Sequence, residues 1–379
     1  MASANVFFAN FGAPPPEAPP PPSFHEVELN KTRWVIPKYY NNLQTLGEGA
    51  YGVVCSAQYV KTGERFAIKK FFRPFQSTIH AKRTYRELKL LRTLNHDNVL
   101  DIIDVFTPDS DAGTLNSVYF TSVLMGSDLQ NILKIQRLGL DQIQLLIYQI
   151  LRGLKYIHSA GIIHRDLKPS NIAVNEKCQV KILDFGLARA AEAEMTGYVA
   201  TRWYRAPEIM LNWMHYSQTV DVWSVGCILA ELVTGKALFP GDDHIDQLTR
   251  IMSIVGTPSE DFLQKVQSEE ARNYIRNLPH LPRRNFADLF PNASREAIDM
   301  LDQMLILDPD HRISVENALK HPFLADYSCA EDEPIADVVV SLDTDEERAT
   351  TIEDWRDLLW REIQIFQSSP RRLSQIFSS

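Results

Sequence analysis

The spacing of apolar and polar residues changes about a third of the way along this chain. Strand-like segments, in which apolar and polar side chains alternate between glycines or form short apolar runs, are residues 40–59, 65–71 and 118–124. Residues 79–94 instead repeat apolar side chains at helical spacing. Further helical segments follow after Gly126, at residues 140–158, 220–234, 246–255 and 295–305. A sheet-rich segment followed by a larger helical one predicts an α+β fold in two lobes.

Length and composition are consistent with this organisation. The chain has 379 residues, which is longer than one hydrophobic core usually supports, so two lobes are expected. Its net charge of -9 argues against a general nucleic-acid partner, because phosphate backbones select basic surfaces. No apolar run reaches the roughly 18 residues that would span a bilayer. Four cysteines without metal-ligand spacing indicate reduced thiols, and we expect a cytoplasmic and nuclear protein.

The first 28 residues differ from the rest. Residues 14–22 are almost all proline and show no apolar periodicity, so residues 1–28 are predicted to form a disordered extension. A ligand for a proline-binding domain is the alternative, but no arginine flanks the prolines to orient such docking.

Glycines at positions 47, 49 and 52 suggest a phosphate site. Without a Cβ atom, Gly47, Gly49 and Gly52 let backbone amides approach a phosphate closely. A dinucleotide fingerprint uses similar spacing, but it should open a helix, whereas here a strand continues. Lys69 stands 17 residues after Gly52 and is a candidate cation for the phosphates, with Glu87 on the predicted helix as its carboxylate partner.

A second set of residues is more specific. In the run His164-Arg165-Asp166-Leu167-Lys168-Pro169-Ser170-Asn171, Asp166 can accept a hydroxyl proton and Lys168 can face a transferring phosphoryl group. Asn171 and Asp184, which is followed by Phe185 and Gly186, offer the oxygen ligands that Mg²⁺ requires.

Together these segments resemble the protein-kinase signature set over residues 33–325. The resemblance implies a bilobal kinase fold, ATP and Mg²⁺ as cofactors, and phosphate transfer in which Lys69, Glu87, Asp166 and Lys168 are catalytic and Asn171 and Asp184 bind metal. The ATP-binding positions that it implies are Gly47, Gly49, Gly52, Val54, Ala67, Lys69, Ser122, Leu124 and Met125. It also implies an ion pair between Glu208 and Arg312.

The segment between Asp184 and Glu208 resembles that of mitogen-activated protein kinases of the stress-activated class. Thr196-Gly197-Tyr198 matches the triplet that an upstream dual-specificity kinase phosphorylates in that class. The resemblance implies phosphate-coordinating arginines, namely Arg83, Arg86, Arg165, Arg189, Arg202 and Arg205. It also implies that residues 199–205 form a pocket selecting Ser/Thr followed by Pro.

The resemblance extends to docking and to the ends of the chain. Glu331 and Asp332 are predicted to attract basic docking motifs of substrates and phosphatases, next to a groove containing Ile132 and Gln136. The implied domains are residues 29–125 (amino-terminal lobe), 126–325 (carboxyl-terminal lobe with an insert near 256–290) and 326–379 (extension). In the extension, residues 352–366 should form a helix that packs back on the smaller lobe. We expect a monomer.

Two alternative functions are disfavoured by residues that the chain contains. A kinase-fold scaffold without catalysis is disfavoured because Lys69, Asp166, Asn171 and Asp184 are all present. Another proline-directed kinase, such as a cyclin-dependent one, typically lacks the tyrosine that stands here at Tyr198. Two departures from the stress-activated class, Ser122 for the usual Thr and Cys329 for a frequent acid, affect inhibitor fit and docking strength. Near the end of the chain, Arg371-Arg372-Leu373-Ser374 resembles a substrate site for a basophilic kinase.

Overall fold

The computed structural model describes residues 23–49, 51–190, 202–211 and 217–368. The proline-rich residues 14–22, the predicted phosphoacceptors Thr196 and Tyr198, and the basic tail that begins at Arg371 lie outside these ranges.

An antiparallel sheet with strand order β3-β4-β5-β7-β6 forms the amino-terminal lobe. Its strands are β3 (Tyr40–Gly49), β4 (Gly52–Tyr59), β5 (Arg65–Phe71), β6 (Ile102–Phe106) and β7 (Tyr119–Val123). The three strand segments predicted above are confirmed. Strand β6 was not predicted, because all five of its residues are buried and so no alternation marks it.

Helix α1 (Thr78–Thr93) packs against this sheet and confirms the predicted helix. It begins where the Ser77 hydroxyl accepts the backbone N–H of His80 at 3.4 Å, which satisfies one of the free N–H groups at the helix start. Leu88, Leu90 and Leu91 are buried and belong to the large hydrophobic core.

The predicted boundary of the disordered segment, at residue 28, lies too far along the chain. Strand β1 (Phe24–Leu29) pairs with β2 (Thr32–Pro37) in an antiparallel hairpin, so order begins before residue 28. Phe24, Val27 and Leu29 pack against an aromatic cluster on the outer side of the sheet. The prediction failed because burial against a distant surface, rather than a long local repeat, stabilises this short hairpin.

The carboxyl-terminal lobe is built around α5 (Thr219–Thr234), which is buried around most of its circumference, as expected of a central core helix. Long helices packed on it are α3 (Leu140–Ser159) and α10 (Arg295–Met304). The remaining helices of the lobe are α2 (Leu129–Ile135), α4 (Pro207–Met210), α6 (His244–Val255), α7 (Glu260–Lys265), α8 (Glu269–Arg276), α9 (Phe286–Leu289) and α11 (Val315–Leu319). Short strands near the lobe boundary are β8 (Ser127–Asp128), β9 (Ile162–Ile163), β10 (Ile172–Val174), β11 (Val180–Ile182) and β12 (Arg189–Ala190).

The predicted insert near residues 256–290 contains α7, α8 and α9. Its first two helices pack on α6 and on the end of α4 through a separate apolar cluster, formed by Leu211, Met252, Phe262, Leu263, Val266 and Ile275. None of the described helices is long and apolar enough to cross a membrane.

The carboxyl-terminal extension returns to the amino-terminal lobe, as predicted. Helix α13 (Ile352–Ser368) packs along α1, with Leu359 and Ile363 fully buried. The indole ring of Trp355 lies 5.7 Å from the ring of Tyr85 on α1.

A preceding short helix, α12 (Asp343–Arg348), supplies acidic partners to the same face of α1. Glu346 forms ion pairs with Arg86 and, at 2.9 Å, with Lys82. Asp345 pairs with Lys89 and accepts a hydrogen bond from the Tyr85 hydroxyl at 2.6 Å. Arg86, predicted above to coordinate a phosphothreonine, is therefore committed in this structure to Glu346, because it lies on the face of α1 that the extension covers.

We expect Glu346→Gln to lower the free energy of unfolding by about 2–4 kcal/mol, because Arg86 would be left buried without its counter-charge. The measurement is urea denaturation at neutral pH. Glu347→Gln, at an exposed neighbouring position, is the matched control and should change stability by less than about 0.5 kcal/mol. Equal effects of the two substitutions would contradict a stabilising role of this ion pair.

Candidate active site

The glycine hairpin forms the upper wall of the site. Gly49 and Gly52 are the last pair of the β3–β4 ladder, so Tyr51 stands at the end of the hairpin. A Cβ atom on Gly52 would lie 2.5 Å from the backbone oxygen of Lys70, so only glycine fits there. Around Gly47 there is open space, which leaves its backbone accessible to a ligand.

Lys69 joins the sheet to helix α1. It lies on β5, and its Nζ is 2.5 Å from Oε1 of Glu87, with both side chains largely buried. Burial acts to lower the pKa of Lys69, but the negative charges of Glu87 and Asp184 outweigh it and raise the pKa. The site therefore holds a fixed cation beneath the glycine hairpin.

Asp166, Lys168 and Asn171 form one hydrogen-bonded group in the carboxyl-terminal lobe. Lys168 Nζ lies 2.8 Å from Oδ2 of Asp166, and the Asn171 amide donates to the backbone oxygen of Asp166 at 2.8 Å and to Oδ2 at 3.1 Å. Burial raises the pKa of Asp166, and the charge of Lys168 opposes this rise. Since the Asn171 nitrogen points at Asp166, its carbonyl oxygen is the atom that can serve as a ligand.

Asp184 contributes the second ligand oxygen of the site. Its backbone has φ of 63°, an uncommon conformation for a residue with a side chain, and its Oδ1 accepts the Gly186 N–H at 3.3 Å. Burial would raise the pKa of Asp184, but Lys69 and Lys168 lower it overall, so the carboxylate stays ionised. Across the described residues, no group of three or more His, Cys, Asp or Glu side chains forms a metal site by itself.

Sequence reasoning missed Asp221, on which the loop carrying Asp166 depends. This fully buried carboxylate accepts the backbone N–H groups of His164 at 2.9 Å and Arg165 at 2.8 Å, and lies 2.9 Å from Nε2 of His158. Arg165 has φ of 70°, so the hydrogen bonds that its N–H and that of His164 donate to Asp221 hold a strained turn immediately before Asp166. The available signal was an acid in the first turn of the mostly apolar helix α5, whose other acid is Glu231.

The other predicted ATP-site residues lie on neighbouring elements. Val54 and Ala67 are on β4 and β5, and Ala67 pairs with Ser122 on β7. Ser122 is buried, while Leu124 and Met125 at the following turn are half-buried. Gly126 comes so close to β10 that a Cβ atom would lie 3.1 Å from the Val174 oxygen.

The predicted ion pair of Glu208 with Arg312 is present and completely buried. Arg312 binds both carboxylate oxygens of Glu208, at 2.7 and 3.1 Å, and also the backbone oxygen of Thr219 at 2.8 Å. These hydrogen bonds join the end of the segment between Asp184 and Glu208 to the core of the carboxyl-terminal lobe.

The five remaining arginines of the predicted phosphate-binding set differ in their surroundings. Arg83 donates to the Tyr51 hydroxyl, and Arg165 donates to the Leu187 oxygen at 3.4 Å. Arg189 lies on β12, paired with β9, and Arg202 donates to the Asp242 oxygen at 2.6 Å. The fifth, Arg205, donates its backbone N–H to the Arg202 oxygen at 3.0 Å.

The predicted docking residues are exposed, with one exception. Glu331 and Asp332 lie in a short 3₁₀ turn, and Arg152 donates to the backbone oxygen of Asp332, which leaves both carboxylates facing solvent. Gln136, just after α2, is exposed, whereas Ile132 is half-buried against the core.

A cation beneath a glycine hairpin, facing an ionised carboxylate and a Lys-paired aspartate across a cleft, suits transfer of a phosphoryl group from a nucleotide. A family profile described as a protein kinase domain matches residues 40–324. The chain is 70% identical to mitogen-activated protein kinase pmk-2 of Caenorhabditis elegans, covering 97% of this chain and 93% of that protein. It is 58% identical to mitogen-activated protein kinase 14 of Xenopus laevis, covering 92% of this chain and 96% of that protein. It is 57% identical to mitogen-activated protein kinase p38b of Drosophila melanogaster, covering 91% and 94%.

The chain therefore belongs to the protein kinase family. Within it the chain is a serine/threonine kinase of the stress-activated mitogen-activated class, which uses ATP with a divalent metal ion and works with upstream kinases, protein substrates and phosphatases.

We expect Lys168→Met to move the acid limb of the profile of kcat/KM against pH to higher pH. Lys168 lowers the pKa of Asp166 against the effect of burial, so its removal leaves the pKa higher, and Asp166 must lose its proton to accept another. The measurement is peptide phosphorylation over a pH series, alongside Lys181→Met as a lysine control outside the site. An unchanged acid limb with only a lower rate would contradict the electrostatic coupling.

Proposed function

We propose that this chain transfers the γ-phosphoryl group of Mg·ATP to serine or threonine followed by proline, once Thr196 and Tyr198 carry phosphate added by an upstream dual-specificity kinase. The observation that carries this proposal is the fixed charge arrangement of Lys69, Asp184 and the Asp166–Lys168 pair across one cleft.

Each charged residue has a role in the transfer. Lys69, held by Glu87, binds the α and β phosphates, and the glycine hairpin covers them. Asp166 orients the substrate hydroxyl and accepts its proton, while Lys168 lies beside the phosphoryl group in transit. Such a site acts mostly by positioning and by stabilising charge.

Asn171 and Asp184 would hold the metal ion. Mg²⁺ favours oxygen ligands and is usually bound by one or two protein side chains together with substrate phosphates. An ionised Asp184 and the Asn171 carbonyl oxygen fit that requirement. Held by these two residues, a metal ion would supply positive charge to neutralise the phosphates.

A phosphorylation switch is supported by the position of two arginines. Arg165 directly precedes Asp166, and Arg189 follows Asp184 by five residues on β12. Each phosphate adds about -1.5 to -2 charges near neutral pH, which orders a loop when arginines converge on it. A phosphate on Thr196 that binds these arginines would therefore act on both catalytic loops.

Selection of proline is supported by contacts of two residues, Trp203 and Tyr204, at the end of the predicted pocket segment 199–205. Trp203 Nε1 donates to the Gly241 oxygen at 2.9 Å, and the Tyr204 hydroxyl donates to Glu231 at 2.6 Å. Backbone held in this way can form a fixed shallow pocket for the residue after the target.

The proposal is tested with wild-type protein and the Thr196→Ala/Tyr198→Phe double variant, each treated with an active upstream dual-specificity kinase. Both are assayed on two peptides that differ only in Pro or Ala after the target threonine. We expect the treated wild type to gain about 100-fold or more in kcat/KM on the Pro peptide, from several charge-assisted hydrogen bonds. The double variant should gain nothing. Equal rates of the two proteins would refute the switch, and equal rates on the two peptides would refute selection of proline.

We further propose that Glu331 and Asp332 bind basic docking motifs of activators, substrates and phosphatases, with Ile132 and Gln136 in the adjoining groove. Both carboxylates face solvent because Arg152 binds the backbone of Asp332, while the next acid, Glu333, is buried and paired with Lys155 at 3.1 Å. The chain is expected to act as a monomer in the cytoplasm and nucleus.

For docking, we expect Glu331→Lys/Asp332→Lys to weaken binding of a basic docking peptide by tenfold or more at low salt, because attraction becomes repulsion. Fluorescence anisotropy with a labelled peptide gives the Kd. The control is Glu269→Lys/Asp288→Lys, which makes the same change in net charge at exposed positions in the insert. If both double variants weaken binding equally, the effect is one of total charge, and the docking assignment is wrong.

A further inference from the structure

Tyr51, beside the tip of the glycine hairpin, contacts helix α1. Its hydroxyl accepts a hydrogen bond from Arg83, and the Arg83 guanidinium carbon lies 4.7 Å from the centre of the Tyr51 ring. The imidazole of His80, about one turn earlier on α1, lies 6.4 Å from that ring at an interplanar angle of 63°. The Tyr51 side chain is thus held by one helix through both its ring and its hydroxyl.

The backbone of Tyr51 is held as well. Its carbonyl oxygen accepts the N–H of Phe72 at 2.9 Å, just beyond the end of β5. Beneath the ring is a cavity of about 10 Å³, with room for about one water molecule, bounded by Tyr51, Arg83, Glu87 and Asp184 among other residues. Tyr51 therefore closes the side of the phosphate site that contains the carboxylates which fix Lys69.

Arg83 is well placed to transmit the position of α1. It lies four residues before Glu87, and residues at this spacing share one face of a helix. If α1 moves, Glu87 and Arg83 move together, so the cation Lys69 and the hairpin above it lose their partners in one step.

We propose that Tyr51 is a positioning residue for phosphoryl transfer, in which its contact with Arg83 latches the glycine hairpin over the nucleotide phosphates and couples that hairpin to α1. This rests on the assignment of the hairpin as the cover of the ATP phosphates, and does not require the phosphorylation switch. A positively charged guanidinium over an aromatic ring, together with a charge-assisted hydrogen bond, is strong enough to shift an open hairpin toward the closed state.

The test measures binding of Mg·AMP-PNP and of adenosine by calorimetry to the full unphosphorylated chain. The variants are Tyr51→Leu, Arg83→Leu, the double variant, and Tyr51→Phe, which keeps the ring. Tyr274→Leu, at an exposed tyrosine in the insert, is the matched control. Lys69→Met reports separately on the phosphate site.

We expect Tyr51→Leu and Arg83→Leu each to weaken Mg·AMP-PNP binding about three- to tenfold, from loss of the ring contact and the hydrogen bond. The double variant should be no weaker than the weaker single variant, and Tyr51→Phe should lose only part of the effect. Adenosine, which has no phosphates, should bind all variants equally.

If the losses of Mg·AMP-PNP affinity in the two single variants multiply in the double variant, the two residues act independently and the latch is overturned. Equal weakening of adenosine binding would also overturn it, because the substitutions would then act through the general structure of the protein. Unchanged affinity in both single variants would overturn it also. If Lys69→Met leaves Mg·AMP-PNP binding unchanged, the phosphate-site assignment fails and the latch fails with it.

Discussion

The ion pair between Lys69 and Glu87 is the interaction on which the rest of the active site depends. It is the only one of the described ion pairs that joins strand β5 to helix α1, and it places a cation where the nucleotide phosphates must lie. Because both side chains are largely buried, loss of either would leave the other as an unpaired buried charge, which costs several kcal/mol. The position of α1 is therefore a condition for binding phosphate productively.

Helix α1 is held from two sides. On the side of the cleft, Glu87 and Arg83 contact Lys69 and Tyr51. On the opposite side, Tyr85 and Arg86 contact Trp355 and Glu346 of the carboxyl-terminal extension. Adjacent residues on a helix differ by about 100° in direction, so Arg86 and Glu87 can serve different surfaces although they are neighbours in sequence. The extension is thus part of the support of the active site, although it lies outside the family's common domain at residues 40–324.

The residues that carry the chemistry could be predicted from the sequence more fully than the residues that hold them in position. Short motifs indicate the catalytic and metal-binding roles by their order along the chain, and they contain Lys69, Asp166, Asn171 and Asp184. Arg86 illustrates the difference, because likeness to the family grouped it with the phosphate-coordinating arginines, whereas its ion pair with Glu346 follows only from packing. Asp221 was missed for a similar reason, since its role comes from backbone groups 56 and 57 residues away. Strand β6 was missed because all five of its residues are buried, and β1 because its alternation covers only six residues.

The strained backbone around the catalytic residues explains why Asp221 must be buried and charged. Arg165 and Asp184 both have positive φ, which costs roughly 1–2 kcal/mol for a residue with a side chain. Asp221 offsets part of that cost at Arg165 by accepting two backbone N–H groups, and its pKa is lowered, since His158, His164 and these N–H groups outweigh burial. The His164 ring in turn lies 2.9 Å from the Leu183 oxygen, directly before Asp184. The two strained turns are therefore joined to Asp221 through His164, which uses its backbone N–H for Asp221 and its ring for Leu183, so contacts within the carboxyl-terminal lobe position the base and the metal ligand. Movement of α1 can then remove phosphate binding while leaving the catalytic loop assembled, which is the arrangement that a switchable kinase requires.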